Sequence, residues 1–372
     1  MRVKLGDYIK EYSVKNKNNE DIPVYSVSNS LGFCKDYFGK EVASKNKTTY
    51  KIVPRGCFAY NPSRINVGSV DWQNEEERVI VSPLYNVFSV SPLLDQQYLL
   101  YYLKSNVTLS RIRAVASGSV RDNLKLSMLY EFPIDLISLE QQYDVVSTLN
   151  AVQKIIDLYQ KELSGLDELI RARFVEMFGE YEASVKLSRY IKELRAGKSL
   201  AGKTKCKNKV LKTGAATFGF FDKEQYKYYP VEYVPNPLHK VEDGDVIISR
   251  MNTPELVGSC SYVFEAPDDM YYPDRLWKTI ITEDTNPIFL WQLMWQQDIR
   301  KQIKENSFGT SGTMNNISKV KLLNIKAIDV PLELQNQFAS FVQEIDKSRS
   351  RIQKSLEASQ ELFDSLMQEY FG

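Results

Sequence analysis

The chain has 372 residues, 43% hydrophobic and 26% charged, with a formal net charge of +1. This length suggests two domains, and the composition suits packed cores, which excludes a disordered chain. No apolar run approaches the ~18 residues of a membrane helix, and the opening MRVKLGDYIK has no signal-peptide stretch. Cys34, Cys57, Cys206 and Cys260 are scattered without CxxC spacing, so they read as packing residues in a reduced, cytoplasmic setting. One histidine, His239, gives poor support to a Ser-His-Asp arrangement or a histidine-built zinc site, and no GxGxxG marks a dinucleotide.

Along the chain, residues 1–138 are rich in Tyr, Val, Ile and Phe in short runs broken by Gly, Pro and Asn. ERVIVSPLYNVFSV (77–90) predicts short strands and DQQYLLYYLKS (95–105) a helix. Residues 139–179 predict one long helix. Val145, Leu149, Val152, Ile156, Tyr159, Leu163, Leu166 and Ile170 step by 4 and 3, a heptad seam without a proline. Residues 180–331 return to the first pattern. LSRYIKELRA (187–196) reads as helical, EDGDVIISRMN (242–252) as strand and turn, and IFLWQLMWQQDIRKQI (288–303) as a helix. Residues 332–372 predict a second long helix, with Phe338, Val342, Ile345, Arg349, Ile352, Leu356, Ser359 and Phe363 in the same frame. Each helix would be about 60 Å long at ~1.5 Å per residue.

The order is a tandem repeat. Residues 139–179 align with 332–372 without a gap at an offset of 193, and LGDYIKE (5–11) matches LSRYIKE (187–193). Charge alternates with it: +4 over 1–137, −3 over 138–179, +3 over 180–331 and −3 over 332–372. One narrow apolar stripe cannot be buried by its own helix, so the economical arrangement has Leu149, Val152, Ile156 and Leu163 bury themselves against Val342, Ile345, Ile352 and Leu356. Two independent surface helices are the alternative. Arg349 and Ser359 interrupt the second seam and could set its register.

GKSLAGKT (197–204) satisfies the phosphate-loop pattern, but that loop needs a strand leading in and a helix leading out. Here a helix-like stretch precedes it and lysine-rich KCKNKVLKTG follows, so a basic loop is the favoured reading. Lys198, Lys203, Lys205, Lys207, Lys209 and Lys212 crowd this segment, and Lys15, Lys17, Lys45, Lys47 and Lys51 sit in Asn- and Thr-rich stretches. Such clusters are either solvated faces or contacts to a phosphate backbone. SRINVGS (63–69) recurs as SRMNTPELVGS (249–259). Arg can make two bonds to a guanine edge and Asn two to an adenine edge, while Ser can bond phosphate. On a strand end or loop, Arg64 with Asn66 and Arg250 with Asn252 would project together. Equally, the motif could fix a turn, with VGS a turn that both copies inherited.

The junctions SGSVRDNLKL…FPIDLISLEQQ and SGTMNNISK…IKAIDVPLELQNQ, the endings FVEMFG and LMQEYFG, and the stretches GDVIISRMNTPELVG and YYPDRLWK carry a resemblance over essentially the whole chain. It closely resembles the specificity (S) subunit of type I restriction–modification systems. The resemblance implies an α+β fold in which two mixed α/β target-recognition domains (1–138 and 180–331) alternate with two spacer helices (139–179 and 332–372). Those helices would pair as an antiparallel coiled coil with pseudo-two-fold symmetry. It implies a non-catalytic subunit that reads a bipartite, asymmetric site in double-stranded DNA. Two methyltransferase subunits carrying S-adenosylmethionine would methylate adenine, restriction/motor subunits would join them, and this chain would bind no cofactor or metal. The expected DNA-contacting residues are Ser63, Arg64, Asn66, Lys45, Lys47, Ser117, Ser119, Arg121, Lys203, Lys205, Lys207, Ser249, Arg250, Asn252, Arg275, Ser311, Thr313 and Asn315. Competing readings are a specificity subunit serving a fused methyltransferase–nuclease, and a coiled-coil protein-interaction scaffold.

Overall fold

A computed structural model describes residues 1–35, 46–116, 123–309 and 314–372. The chain divides into two compact units: Met1–Lys161 with Ile352–Gly372, and Glu162–Arg351.

The first unit opens with strand Arg2–Lys4, antiparallel to Pro133–Asp135. A 3-10 turn at Leu5–Asp7 follows, with Leu5 fully buried. The central sheet is antiparallel, in the order Ile9–Glu11, Asn86–Val90, Phe58–Tyr60, Val70–Trp72. Its inner face presents Phe58, Tyr60 and Phe88 to helices Gln96–Lys104 and Asn106–Ala116. Asp95 caps the first of these by accepting from Tyr98 N. A smaller layer, strands Ser26–Ser28, Gly32–Cys34, Lys51–Pro54 and Arg78–Val81, packs a second core around Val53, Val79 and Val87.

The second unit repeats the frame around a different smaller layer. Ala183–Lys186 pairs with Lys326–Ile328, a 3-10 turn covers Leu187–Arg189, and the sheet runs Ile191–Ala196, Leu276–Ile281, Val246–Ser249, Cys260–Tyr262. The stretch 187–196, read as helical, is thus a turn and an edge strand. Backbone pairing with Leu276–Ile281 outweighs its helical spacing, and it buries Ile191 and Leu194 on the core side. The helix expected over 288–303 is two helices, Pro287–Met294 and Gln297–Asn306. Between them Trp295 donates its indole N–H to Cys260 O, and Gln296 turns extended and starts the next helix.

The long helices span Leu139–Phe178 and Leu332–Phe371. In the first unit, Val145 and Leu149 of one share a core with Phe371 of the other. Tyr101 there touches Phe363 and donates to Asn150 Oδ1. In the second unit, Phe174 and Phe178 pack against Phe338 at ring distances of 5.4 and 5.7 Å. Along the seam Val152 and Ile156 are buried, while Leu163, Ile345, Ile352 and Leu356 are half-buried beside exposed flanks. Arg349, the charge that interrupts the seam, pairs with Asp167 of the central helix.

Both helices begin with the same clamp. Gln142 is fully buried; its Nε2 donates to Leu93 O (3.0 Å) and Ile137 O (2.9 Å), and its Oε1 accepts from Asp95 N (2.8 Å). Gln335, also fully buried, donates to Asp284 O (3.2 Å) and Val330 O (2.7 Å) and accepts from Asn286 N (2.9 Å). Among the described residues no helix is long and apolar enough to cross a membrane.

Candidate nucleic-acid interface

In the first unit, SRINVGS forms a 3-10 turn, not a strand end. Asn61 Oδ1 accepts from Ser63 N (3.1 Å) and Ser63 Oγ (2.9 Å), and Arg64 caps the turn Ile65–Val67. Ile65 is fully buried and Arg64 is exposed. Alternation along a strand therefore does not aim Arg64 and Asn66. The residue that joins them is Arg113, which reading of the sequence missed. Its Nε donates to Asn66 O (3.2 Å) from helix Asn106–Ala116, setting a second exposed guanidinium beside this turn. The triplet RIR (111–113) was the available signal.

The second unit gathers more of the expected residues. Arg250 N donates to Arg275 O (3.1 Å), so these two arginines flank one strand end. Strand Met251–Asn252 pairs with Asn315–Asn316, which puts Asn252 directly opposite Asn315. Arg250 lies over the Trp277 ring, 5.9 Å from its centroid, and its Nε has no hydrogen-bond partner among the described residues. Asn316 Oδ1, beside it on the paired strand, also has none. Asn252 donates to Thr217 Oγ1 (3.4 Å), and Asn315 to Ser307 Oγ (2.9 Å). These amides spend a donor within the fold, whereas Arg275 is exposed. Ser249 is a correction. It is fully buried and its hydroxyl lies 3.3 Å from Met251 O, so it presents nothing to a phosphate.

The repeated motif is half equivalent. Tyr60 pairs with Val70, and Ile248 with Cys260. Leu124 N donates to Pro62 O, and Ile317 N to Arg250 O. These bonds put Pro62, not Arg64, where Arg250 stands, and Gly68 where Gly258 stands. Both glycines have positive φ, 89° and 71°, which favours glycine. Val-Gly-Ser thus occupies the same tight turn in both sheets, whereas Ser-Arg-x-Asn is two residues out of register.

The lysines divide. Lys203 and Lys205 are exposed, Lys207 reaches Asp269 (3.5 Å) and Lys47 reaches Asp21 (3.5 Å). Exposed pairs of this kind contribute little and exchange readily for a phosphate. Lys45, Ser117, Ser119, Arg121, Ser311 and Thr313 lie outside the described residues. Around GKSLAGKT, strand Ile191–Ala196 leads in and strand Lys209–Leu211 leads out, so the loop does not open a helix. A Cβ on Gly197 would stand 1.8 Å from Tyr272 O, so that glycine serves close backbone packing. His239 ends a 3-10 turn, and burial together with Arg195 and Lys198 holds its pKa below the usual value. Lys278, 7% exposed, meets Asp245 (3.2 Å) and Lys240 O (3.1 Å), and Tyr272 OH also bonds Asp245. Burial raises the Asp245 pKa, and this closed network is structural. No group of three metal-ligating side chains occurs among the described residues.

Residues 3–168 match the model of the type I restriction modification DNA specificity domain. That match spans a little under half of the chain. The specificity-domain match ends inside the central helix, but the likeness in fold continues. The chain is similar over its full length to the S subunit of a type I restriction–modification system from M. genitalium, at 15% identity and TM-score 0.58, covering 96% of that chain. A chain from a structural study of complex assembly and conformational transition of the type I R-M system is matched at 15% identity and TM-score 0.57, with 97% covered. No curated protein sequence matches the chain. The resemblance read from the sequence is thus met by a specificity-domain match over 3–168 and a likeness in fold over the full length.

Proposed function

We propose that the chain is the specificity subunit of a type I restriction–modification complex, with two target-recognition domains, 1–138 and 180–331, each reading one half of a bipartite DNA site. The observation that carries this reading is the specificity-domain match over 3–168 together with the return of the same four-stranded sheet frame in the second unit. The diverged tips support an asymmetric site: Arg64 and Arg113 flank a turn in one unit, Arg250 and Arg275 a strand end in the other. The helices 139–179 and 332–372 pair as an antiparallel coiled coil. Support comes from the early part of each helix sharing a core with the late part of the other. Their length then sets the gap between half-sites, and the tandem repeat gives pseudo-two-fold symmetry.

Chemistry is assigned to partners in the cytoplasm. Two methyltransferase subunits would carry S-adenosylmethionine and methylate an adenine in each half-site, taking it out of the base stack. Motor/nuclease subunits would restrict unmodified DNA. Within the chain, arginine forks read base edges while Lys203, Lys205 and Lys207 hold the phosphate backbone. The test is long-read methylation mapping of cells making the neighbouring methyltransferase with and without this chain. A gapped, asymmetric adenine motif that appears only with the chain is expected. A stable complex that adds no motif overturns the reading.

A further inference from the structure

The second unit contains a cavity of about 740 Å³ to which DNA recognition assigns no role. That volume falls within the ~300–1,000 Å³ of small-molecule sites. Its walls are aromatic. Tyr262 stacks on Trp291 at 6.0 Å with ring planes 23° apart, and Phe264 stands edge-on to both, at 4.6 and 6.0 Å. Phe218 and Phe220 also line it and are 69% and 60% exposed, an unusual amount of phenylalanine surface to leave in water.

Two polar side chains also line the cavity and make no hydrogen bond to another described residue, which leaves them free to meet a ligand. Gln292 is 8% exposed, and the bonds made there run to its backbone carbonyl, not its side-chain amide. Asp346, half-buried, lines the same space, and burial raises its carboxyl pKa. The neighbouring cation, Arg349, is held by Asp167. Arg171, Lys223 and Glu265 at the rim are exposed to water. An anionic ligand would meet Asp346 with no uncommitted buried cation, and a neutral one would leave that carboxylate desolvated and unpaired. A cation satisfies both, because aromatic faces also attract positive charge.

We propose that this cavity binds a small organic cation with a flat apolar body, the rings holding the body, Asp346 the charge and Gln292 one further hydrogen bond. The site is independent of the DNA reading, and its test uses the full chain without DNA or partner subunits, so failure of either leaves the other standing. Benzamidinium, neutral benzamide and anionic benzoate share one shape. Titrated by calorimetry and by the fluorescence of Trp291 and Trp295, benzamidinium should saturate, benzamide should bind about tenfold more weakly for want of a charge-assisted bond, and benzoate should not bind. Asp346→Asn should weaken benzamidinium about tenfold on the same ground and leave benzamide unchanged. Phe218→Ala, at an exposed position, should weaken both. Equal affinity for the three probes, or an Asp346→Asn variant that binds benzamidinium as tightly, overturns the cation assignment. No binding by any probe overturns the site. An acetyl-arginine amide that binds more tightly than benzamidinium overturns the small-molecule assignment and puts a basic side chain of a partner protein there.

Discussion

Replacing Gln335 by Leu tests the clamp that joins helix Leu332–Phe371 to the segments before it in the second unit. The substitution keeps the volume but removes three hydrogen bonds, to Asn286 N, Asp284 O and Val330 O. Each buried backbone group left without a partner costs about 1–3 kcal/mol. The leucine regains roughly 1 kcal/mol of apolar burial, so the net loss should be about 2–8 kcal/mol. With a urea dependence of about 2 kcal/mol/M, the midpoint falls by roughly 1–4 M. Trp277, Trp291 and Trp295 belong to this unit and only Trp72 to the other, so tryptophan fluorescence reports mainly the affected unit. Gln142→Leu should leave most of that signal in place while lowering the unfolding midpoint of the first unit seen by circular dichroism. A Gln335→Leu shift worth less than about 1 kcal/mol would refute the reasoning, because it would mean that the three backbone groups find other partners.

Arg64→Ala should relax recognition at one half-site, and Arg250→Ala at the other, each by roughly tenfold to a hundredfold if a bidentate base contact is lost; methylation mapping checks both, and Ser249→Ala should leave the modified motif unchanged. Deleting one heptad from 145–170 should change the gap or break the complex; an unaltered site in an intact complex removes the ruler. Under native conditions alkylation and mass spectrometry should find Cys57 and Cys260 protected, since burial pushes both thiols up, Cys260 to about 12; rapid labelling of Cys260 at pH 8 would contradict its buried place. Calorimetry with ATP should show no binding that Lys203→Ala abolishes; such binding would revive the phosphate loop.

The two long helices were legible because a heptad seam repeats a local rule over forty residues, and burial follows it position by position from Val145 to Ile170. The sheet edges were not. LSRYIKELRA has helical spacing, and only its partner strand Leu276–Ile281, far along the chain, decides otherwise. The split at Trp295 depends on an indole bond to Cys260 O, a contact no window of sequence contains. In the candidate interface, Arg250, Asn252, Arg275 and Asn315 were found as residue types, and the structure brings them to one strand end. That Ser249 points inward while Arg275 points outward follows from strand register, which the letters SRMN do not reveal. Arg113 was missed because its position beside Asn66 is tertiary.

The glutamine clamps also bear on how such a chain could change its target. Gln142 and Gln335 hold only main-chain groups of the segments before their helices, with no side chain among the six partners. A main-chain socket does not depend on the letters written around it. Under the proposed function, the coupling between reader and helix is therefore a standard fitting: a foreign reader with the same backbone at this joint could be exchanged for the resident one, while its other residues diverge without disturbing the joint.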